Sequence, residues 1–434
     1  MSKMEYATET GASGTAPPEE KFWTRRNADL GTERVSYEDS TSSAFFELER
    51  EAVFRRSWLY VGREDELKGP GAYFTKELEV LKTSLIIARG RDRKIRAFHN
   101  TCPHRGNKLV WEGHPAREVK GRAMRFVCKY HGLGFGLDGN IEILTSKDLW
   151  FDDQGSCLHL AEVALEIVNG FIFVNLDRRG PQQDLKAFLG DYHWEALSAF
   201  EFGGLTATFK MVGVTASNWK TLSDAFSEGY HVATLHKWTF PFGSDNPEID
   251  LAPRALGYML KDPHRSSLQP GLPPDLPMNF AIERLAKANG IGPQYAFPKD
   301  RSVLPAIYNP DGKHWSASTH NLFPNMTMQI YYPGWYLTYA FWPLAHDRMR
   351  FEIDLHFPQP EKFSDLFSQA TALGFLYDAF QQDLSTLDAT QRGLEAEAFD
   401  SYPLMDEEIL IRHFHKMIYA AVDRYAAEQG IARG

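Results

Sequence analysis

The chain has 434 residues, room for two or three domains at about 150 residues each. With 43% hydrophobic and 24% charged side chains it has the balance of a folded globular protein, and a net charge of −10 argues against nucleic acid or an anionic membrane as a general partner. Three cysteines exclude a disulfide-stapled secreted scaffold, so a reducing cytoplasm is the expectation, and no run reaches the roughly 18 apolar residues of a membrane span.

Residues 1–20 are polar, lack the apolar core of a signal peptide and read as a disordered leader. Residues 36–57 carry apolar side chains at helical spacing and read as a short helix. From 58 to 177 the pattern changes to short runs such as WLYVG, AYFTKEL, SLIIARG and ALEIVNGFIFVNLD, broken by Gly, Pro and Asp. Such runs predict a compact antiparallel β domain. From 178 to 434 strands and helices mix. LTATFKMVGVTAS, STHNLFPNMTMQIYY, WYLTYAFWPL and MRFEIDLHF read as strands, and 361–397 and 405–429 as helices. Ten of the 24 prolines fall in 241–300, so that stretch is not regular throughout; it reads either as an active-site cover or as an ordinary surface insertion.

The β domain holds Cys102-Pro103-His104-Arg105-Gly106 and Cys128-Lys129-Tyr130-His131-Gly132. Each loop offers one thiolate and one imidazole, whereas structural zinc sites usually pair like with like. Two cysteines on one iron and two histidines on the other is the ligand set of a Rieske-type 2Fe–2S centre. Gly106, Gly132, Gly134 and Gly136 crowd the same loops and could bring backbone N–H groups to the sulfurs. A mixed zinc site or unliganded buried thiols are the alternatives. Cys157 lies outside these two glycine-rich loops and reads as a plain buried thiol.

Cys-x-His-Arg-Gly followed by Cys-x-Tyr-His-Gly resembles the Rieske domain of the aromatic-ring-hydroxylating oxygenase α subunits. The 23 residues between His104 and Cys128 are several more than that family usually has, and the charged excess around HPAREVKGRA reads as an extended hairpin.

A second constellation is NWKTLSDAFSEGYHVATLH, residues 218–236. At about 100° per residue, Asp224, Glu228 and His231 share one face of an α-helix. His236 lies about 140° round from His231 and joins the same metal only if the helix widens, bends or ends there. Two histidines and one carboxylate with open positions form the facial triad of non-heme Fe(II) oxygenases. The long helix at 371–394 offers Asp378, Asp383 and Asp388, whose spacing of five lets only one reach the metal; periodicity does not choose among them.

The resemblance does choose. The family's aspartate ligand sits in a Gln-x-Asp-like stretch before a further glutamine, and Gln381-Gln382-Asp383 with Gln391 downstream matches at Asp383. In that family an acid three residues before the first iron histidine bridges to a cluster histidine of a neighbouring subunit. This implies His131 of one chain, Glu228 of the next, and His231. The position is usually Asp; Glu occurs in a minority, including some members acting on quaternary ammonium compounds. Asp224 reads either as a residue orienting His231 or as a solvated or capping acid.

The resemblance spans about 45–400 and implies an α+β chain: residues 21–57 begin the catalytic domain, 58–177 form the antiparallel β Rieske domain, and 178–434 form a helix-grip catalytic domain, a curved antiparallel sheet around a long helix. It implies a 2Fe–2S cluster on Cys102, His104, Cys128 and His131, and mononuclear Fe(II) on His231, His236 and Asp383. It further implies O₂ as co-substrate, a small apolar and aromatic or polycyclic substrate, electrons from an NAD(P)H-dependent reductase with or without a ferredoxin, and a homotrimer with or without a small β subunit. Gly134-x-Gly136-x-x-Gly139 runs into the strand-like NIEILT rather than opening a helix, so it does not signal a dinucleotide fold and the reductant must come from a partner. Monooxygenation or demethylation of N- or O-methyl or quaternary ammonium compounds, and a non-catalytic Rieske electron carrier, are the competing readings.

Overall fold

Short apolar runs separated by turn residues build the first of two units, Phe54–Phe188; the second combines the segment ending at Val53 with the chain from Leu189 onward. The computed structural model describes residues 23–113, 118–151, 154–200, 202–236, 239, 255–270, 315–331 and 335–432. The expected leader and much of the proline-rich stretch lie outside these residues.

In the first unit seven strands form one antiparallel sheet, in the order Trp58–Arg63, Phe171–Asn175, Glu162–Val168, Ile95–His99, Thr83–Arg89, Ala72–Leu78 and Lys120–Arg122. The turn between Glu162–Val168 and Phe171–Asn175 is Asn169-Gly170, with φ of 44° and 82°. A two-residue hairpin turn of this hand needs φ > 0 at both positions, which Asn-Gly tolerates best. The extra residues between His104 and Cys128 supply the short edge strand Lys120–Arg122, which pairs with Ala72–Phe74. A second, three-stranded sheet of Arg125–Val127, Gly134–Gly136 and Ile141–Ile143 carries the second cysteine loop.

The second unit is a seven-stranded antiparallel sheet in the order Ala207–Thr215, Arg348–Phe357, Trp335–Ala345, Met326–Tyr331, Trp315–Leu322, His264–Pro270 and Gly257–Lys261. The helix Phe363–Glu395 buries Ala372, Leu376, Ala379, Phe380, Asp383, Leu387 and Gln391, one stripe at helical spacing. A carboxylate in such a stripe needs partners, since a buried charge is costly without them. This is the α+β, helix-grip architecture expected.

Register separates the two faces of the sheet. Arg265, Asn321, Thr327 and Tyr339 are successive cross-strand partners and share a face. That face meets residues 223–227, because Arg265 donates to Ser223 Oγ and Ser227 Oγ at 2.9 and 3.0 Å and Tyr339 stacks on Phe226 at 4.3 Å. The opposite face presents Ser266 and His320 to Tyr192 and His193.

One expectation is corrected and two elements are new. The helix read over 36–57 is Glu38–Thr41 and Ser43–Glu49, split at Ser42, whose hydroxyl accepts from Phe45 N–H as a cap, and it continues as a π-turn over Arg50–Phe54. The proline-rich stretch contains a hairpin, Gly257–Lys261 with His264–Pro270. Leu185–Ala199, not anticipated, is helical with a break at Gly190, φ 66°. Among the described residues no helix is long and apolar enough to cross a membrane.

Candidate active site

In the first unit two similar loops bring the cysteine–histidine pairs together. Cys102 N–H donates to Asn107 C=O and Gly106 N–H to Cys102 C=O; Cys128 N–H donates to Leu133 C=O and Gly132 N–H to Cys128 C=O, at 2.8–3.0 Å. Gly106 and Gly132 have φ of 74° and 76°, so each turn needs the left-handed conformation that glycine adopts freely. Their amides thus close the loops on carbonyls rather than meeting sulfur. The backbone amides that reach Cys102 are those of His104 and Arg105, and burial pushes its thiol up, with the neighbouring Cys128 adding to the rise and the amides opposing it.

Cys102 and Cys128 are buried and not joined in a disulfide. The rings of His104 and His131 meet at 4.9 Å, Trp150 closes over His104 at 5.3 Å, and Tyr130 stacks on His131 at 3.9 Å. Buried His104 Nδ1 has no hydrogen-bond partner among the described residues. An orphan imidazole nitrogen beside two buried thiols fits a 2Fe–2S cluster, because the metal supplies the missing partner. His131 is exposed. Cys157, expected to be buried, is exposed as well.

In the second unit the segment read as one helix is broken. Asn218 caps Trp219–Ala225, its side chain accepting from Lys220 N–H. The helix stops at Phe226, and a new turn, Val232–Leu235, runs between His231 and His236. This break answers the angular problem of the five-residue spacing, since the two rings flank one short turn with centroids 5.2 Å apart. His236 Nε2 and His231 Nε2 lie 3.0 and 3.6 Å from Asp383 Oδ1. That oxygen is buried yet has no hydrogen bond, so three metal-seeking atoms converge without satisfying one another. The donor set fits a facial triad for iron.

Asp378 is exposed, and Asp388 accepts from Ala216 N–H at 2.9 Å, so neither joins this group. Glu228 Oε1 takes His231 Nδ1, and its Oε2 takes the Tyr230 and His231 amides. Burial alone would lower the His231 pKa; the Glu228 hydrogen bond and charge, with Asp383, outweigh it and hold it raised. The carboxylate on His231 is therefore Glu228 and not Asp224. Asp224 Oδ2 instead meets His415 Nε2 at 3.1 Å, and His415 Nδ1 meets Asp39 Oδ2 at 2.5 Å. Burial opposes the charged imidazole of His415, but the carboxylates of Asp39 and Asp224 push its pKa up to about 10.

Two features escaped sequence reasoning. Lys220 and Glu49 form a buried ion pair at 2.8 Å that ties the first turn of Trp219–Ala225 to the N-terminal segment. Gln382, one residue before Asp383, accepts from the other nitrogen of His236 at 2.8 Å. Its only signal was adjacency to Asp383.

Two family models match this chain, the ring hydroxylating alpha subunit (catalytic domain) over residues 190–424 and the Rieske [2Fe-2S] domain over 57–148. The chain belongs to the ring-hydroxylating α-subunit family. As a member it binds a Rieske 2Fe–2S cluster and, in its catalytic domain, a mononuclear iron. Curated relatives include the carnitine monooxygenase oxygenase subunit of Escherichia coli (strain K12), 33% identical over 211 residues, 48% of this chain and 53% of that one. The large oxygenase component of the naphthalene 1,2-dioxygenase system of Pseudomonas aeruginosa is 34% identical over 197 residues, 44% of this chain and 42% of that one. The chain spans about half the length of the curated relatives it matches. Solved structures share its fold. A quaternary ammonium Rieske monooxygenase in complex with L-carnitine has TM-score 0.66 at 21% identity, covering 92% of this chain and 97% of that one. Naphthalene 1,2-dioxygenase from Rhodococcus sp. bound to indole has TM-score 0.64 at 17% identity, covering 86% and 91%.

Proposed function

We propose that this protein is the terminal oxygenase of a multicomponent system, using O₂ and electrons from a separate NAD(P)H-dependent reductase, with or without a ferredoxin, to hydroxylate a small organic substrate. The observation that carries this reading is the convergence of His231 Nε2, His236 Nε2 and Asp383 Oδ1, with that oxygen buried and unbonded. The cluster supplies one electron at a time, and the iron, with coordination positions left open, supplies a place for O₂ to be activated.

The chain's own residues do the rest. Cys102, His104, Cys128 and His131 hold the cluster, and His231, His236 and Asp383 hold the iron. Glu228 keeps the His231 ring in the tautomer that frees Nε2 for the metal. It is also the carboxylate proposed to meet the exposed His131 of a neighbouring subunit, which makes a closed trimer the working assembly. The same histidine pair and aspartate argue against a mere electron carrier, which has no use for a second metal site.

For the substrate, the first reading is an aromatic or polycyclic compound, seated against Phe226, Tyr339 and Phe380. One observation favours a second reading, monooxygenation or demethylation of a methylated or quaternary ammonium compound. The face that carries Tyr339 is not purely apolar: Gln329 Oε1 accepts from Tyr331 and Tyr339 hydroxyls at 3.0 and 3.4 Å, and Gln329 Nε2 donates to Thr319 at 3.3 Å. Tyrosine faces and hydroxyls suit a cation with a polar end. A single-turnover experiment tests the proposal without any partner. Cluster-reduced, iron-loaded protein is mixed with O₂ and candidate substrates from both classes. Oxygen incorporation into product, with cluster oxidation accelerated by that substrate, is expected; cluster oxidation at one rate regardless of substrate, with no product, overturns it.

A further inference from the structure

The two imidazoles at the iron site are held by different kinds of acceptor. His231 Nδ1 meets the Glu228 carboxylate, which is anchored by the amides of its own turn. His236 meets a side-chain amide at Nδ1. Its Nε2 is 3.0 Å from Asp383 Oδ1, which assigns that lone pair to the triad and leaves the ring proton on Nδ1. Nδ1 lies 2.8 Å from Gln382 Oε1, and Gln382 Nε2 donates to Thr239 Oγ1 at 2.6 Å. The bond to Thr239 fits the orientation of the amide, with its oxygen toward the ring. Thr239 N–H in turn donates to His236 C=O at 2.9 Å, so ring, amide and threonine close a loop around one turn. Gln382 and Asp383, adjacent on the long helix and about 100° apart, address the two nitrogens of a single imidazole.

We propose that Gln382 is a positioning residue of the mononuclear iron site, fixing the tautomer and orientation of His236 through its neutral amide. This rests on the reading that His231, His236 and Asp383 hold iron. The choice of an amide has an electrostatic rationale. Asp383 and Glu228 already bring two negative charges to a dication, and a third carboxylate would leave the site with excess negative charge. An amide also pushes less electron density into the ring than a carboxylate does, which makes His236 the weaker of the two imidazole donors.

The test compares wild type, Gln382→Met and Gln382→Glu in full-length protein with an intact cluster. Fe(II) affinity is measured anaerobically by chelator competition, and Co(II) replaces iron to report ligand geometry by visible absorption. Met fills a similar volume without an acceptor, so Gln382→Met should weaken Fe(II) binding by about 10–100-fold and change the Co(II) spectrum. Gln382→Glu should restore affinity to the wild-type level or tighter, because the acceptor is back. Cluster absorption should be the same in all three, which reports that the fold is intact. If Gln382→Met binds Fe(II) within about two-fold of wild type, or if Met and Glu weaken it equally, the positioning role is overturned. Failure of wild type itself to bind one iron outside the cluster would sink the metal-site reading, and this inference with it.

Discussion

Replacing Lys220 by Met tests whether the segment proposed to hold the iron is pinned by charge to the N-terminal segment. Lys220 Nζ lies 2.8 Å from Glu49 Oε1, both side chains are 0% exposed, and Trp219 Nε1 donates to Glu49 Oε2 at 2.9 Å. At an effective dielectric of about 20 the gross attraction at that distance is roughly 6 kcal/mol. Most of it is offset by desolvation: burial raises the Glu49 carboxyl more than Lys220 lowers it. The net value of the pair is therefore small, whereas the cost of breaking it is not. Lys220→Met strands a buried carboxylate that must take up a proton, which should cost about 3–5 kcal/mol. Glu49→Gln strands the ammonium and should cost a similar amount, while Gln keeps an acceptor for Trp219. The double variant leaves neither charge and should recover a large part of the summed loss. Urea unfolding of the four proteins, followed by tryptophan fluorescence, gives the cycle. A Lys220→Met cost below about 1 kcal/mol, the value of a solvent-exposed pair, would refute the reasoning.

Stability should fall on both sides of neutrality, for opposite reasons. His415 is raised to about 10, so its contribution is fully present below its unfolded pKa of about 6.5 and is lost as pH rises toward 10; His415→Gln should flatten that alkaline arm in a urea-midpoint series. Burial lowers His193 well below its ordinary value and brings His320 to about 4, so their contribution is present above about 6.5 and is lost as pH falls toward 4. A flat acid arm would contradict this. Glu228→Gln should leave both metals bound but reduce substrate oxidation by about 10–100-fold; normal turnover would remove its bridging role. Asp383→Ala should empty the mononuclear site while leaving the cluster spectrum unchanged, and full retention of iron would show that another acid is the ligand.

The parts legible in the sequence were those encoded locally. Cys102 with His104 and Cys128 with His131 are each confined to one loop, so the ligands lie within a few residues of one another. ALEIVNGFIFVNLD, read as one run, covers two strands joined by the Asn169-Gly170 turn, and AYFTKEL marks its strand, Ala72–Leu78, to the residue. The strand His264–Pro270 was missed because it buries Arg265, Ser266 and Ser267. Arg265 Nη2 and Ser266 Oγ find partners far along the chain, Ser223 and Tyr192, so no apolar alternation announces it. The break at Phe226 was foreseen only as one way for His236 to reach the metal; neither side's propensity locates it. Asp224 shares a helical face with His231 on an ideal wheel, but the wheel stops at Ala225 and the acid turns to His415, 191 residues away. Gln382 was visible as a letter beside Asp383, and its role depends on where His236 lies.

The most direct test of the two-centre account is the metal and sulfide content of protein purified without oxygen and supplied with Fe(II). The account predicts about three irons and two acid-labile sulfides per chain, with Asp383→Ala lowering iron to about two and leaving sulfide unchanged. About two irons and two sulfides in wild type, unmoved by added Fe(II), would contradict it and leave a Rieske electron carrier in its place.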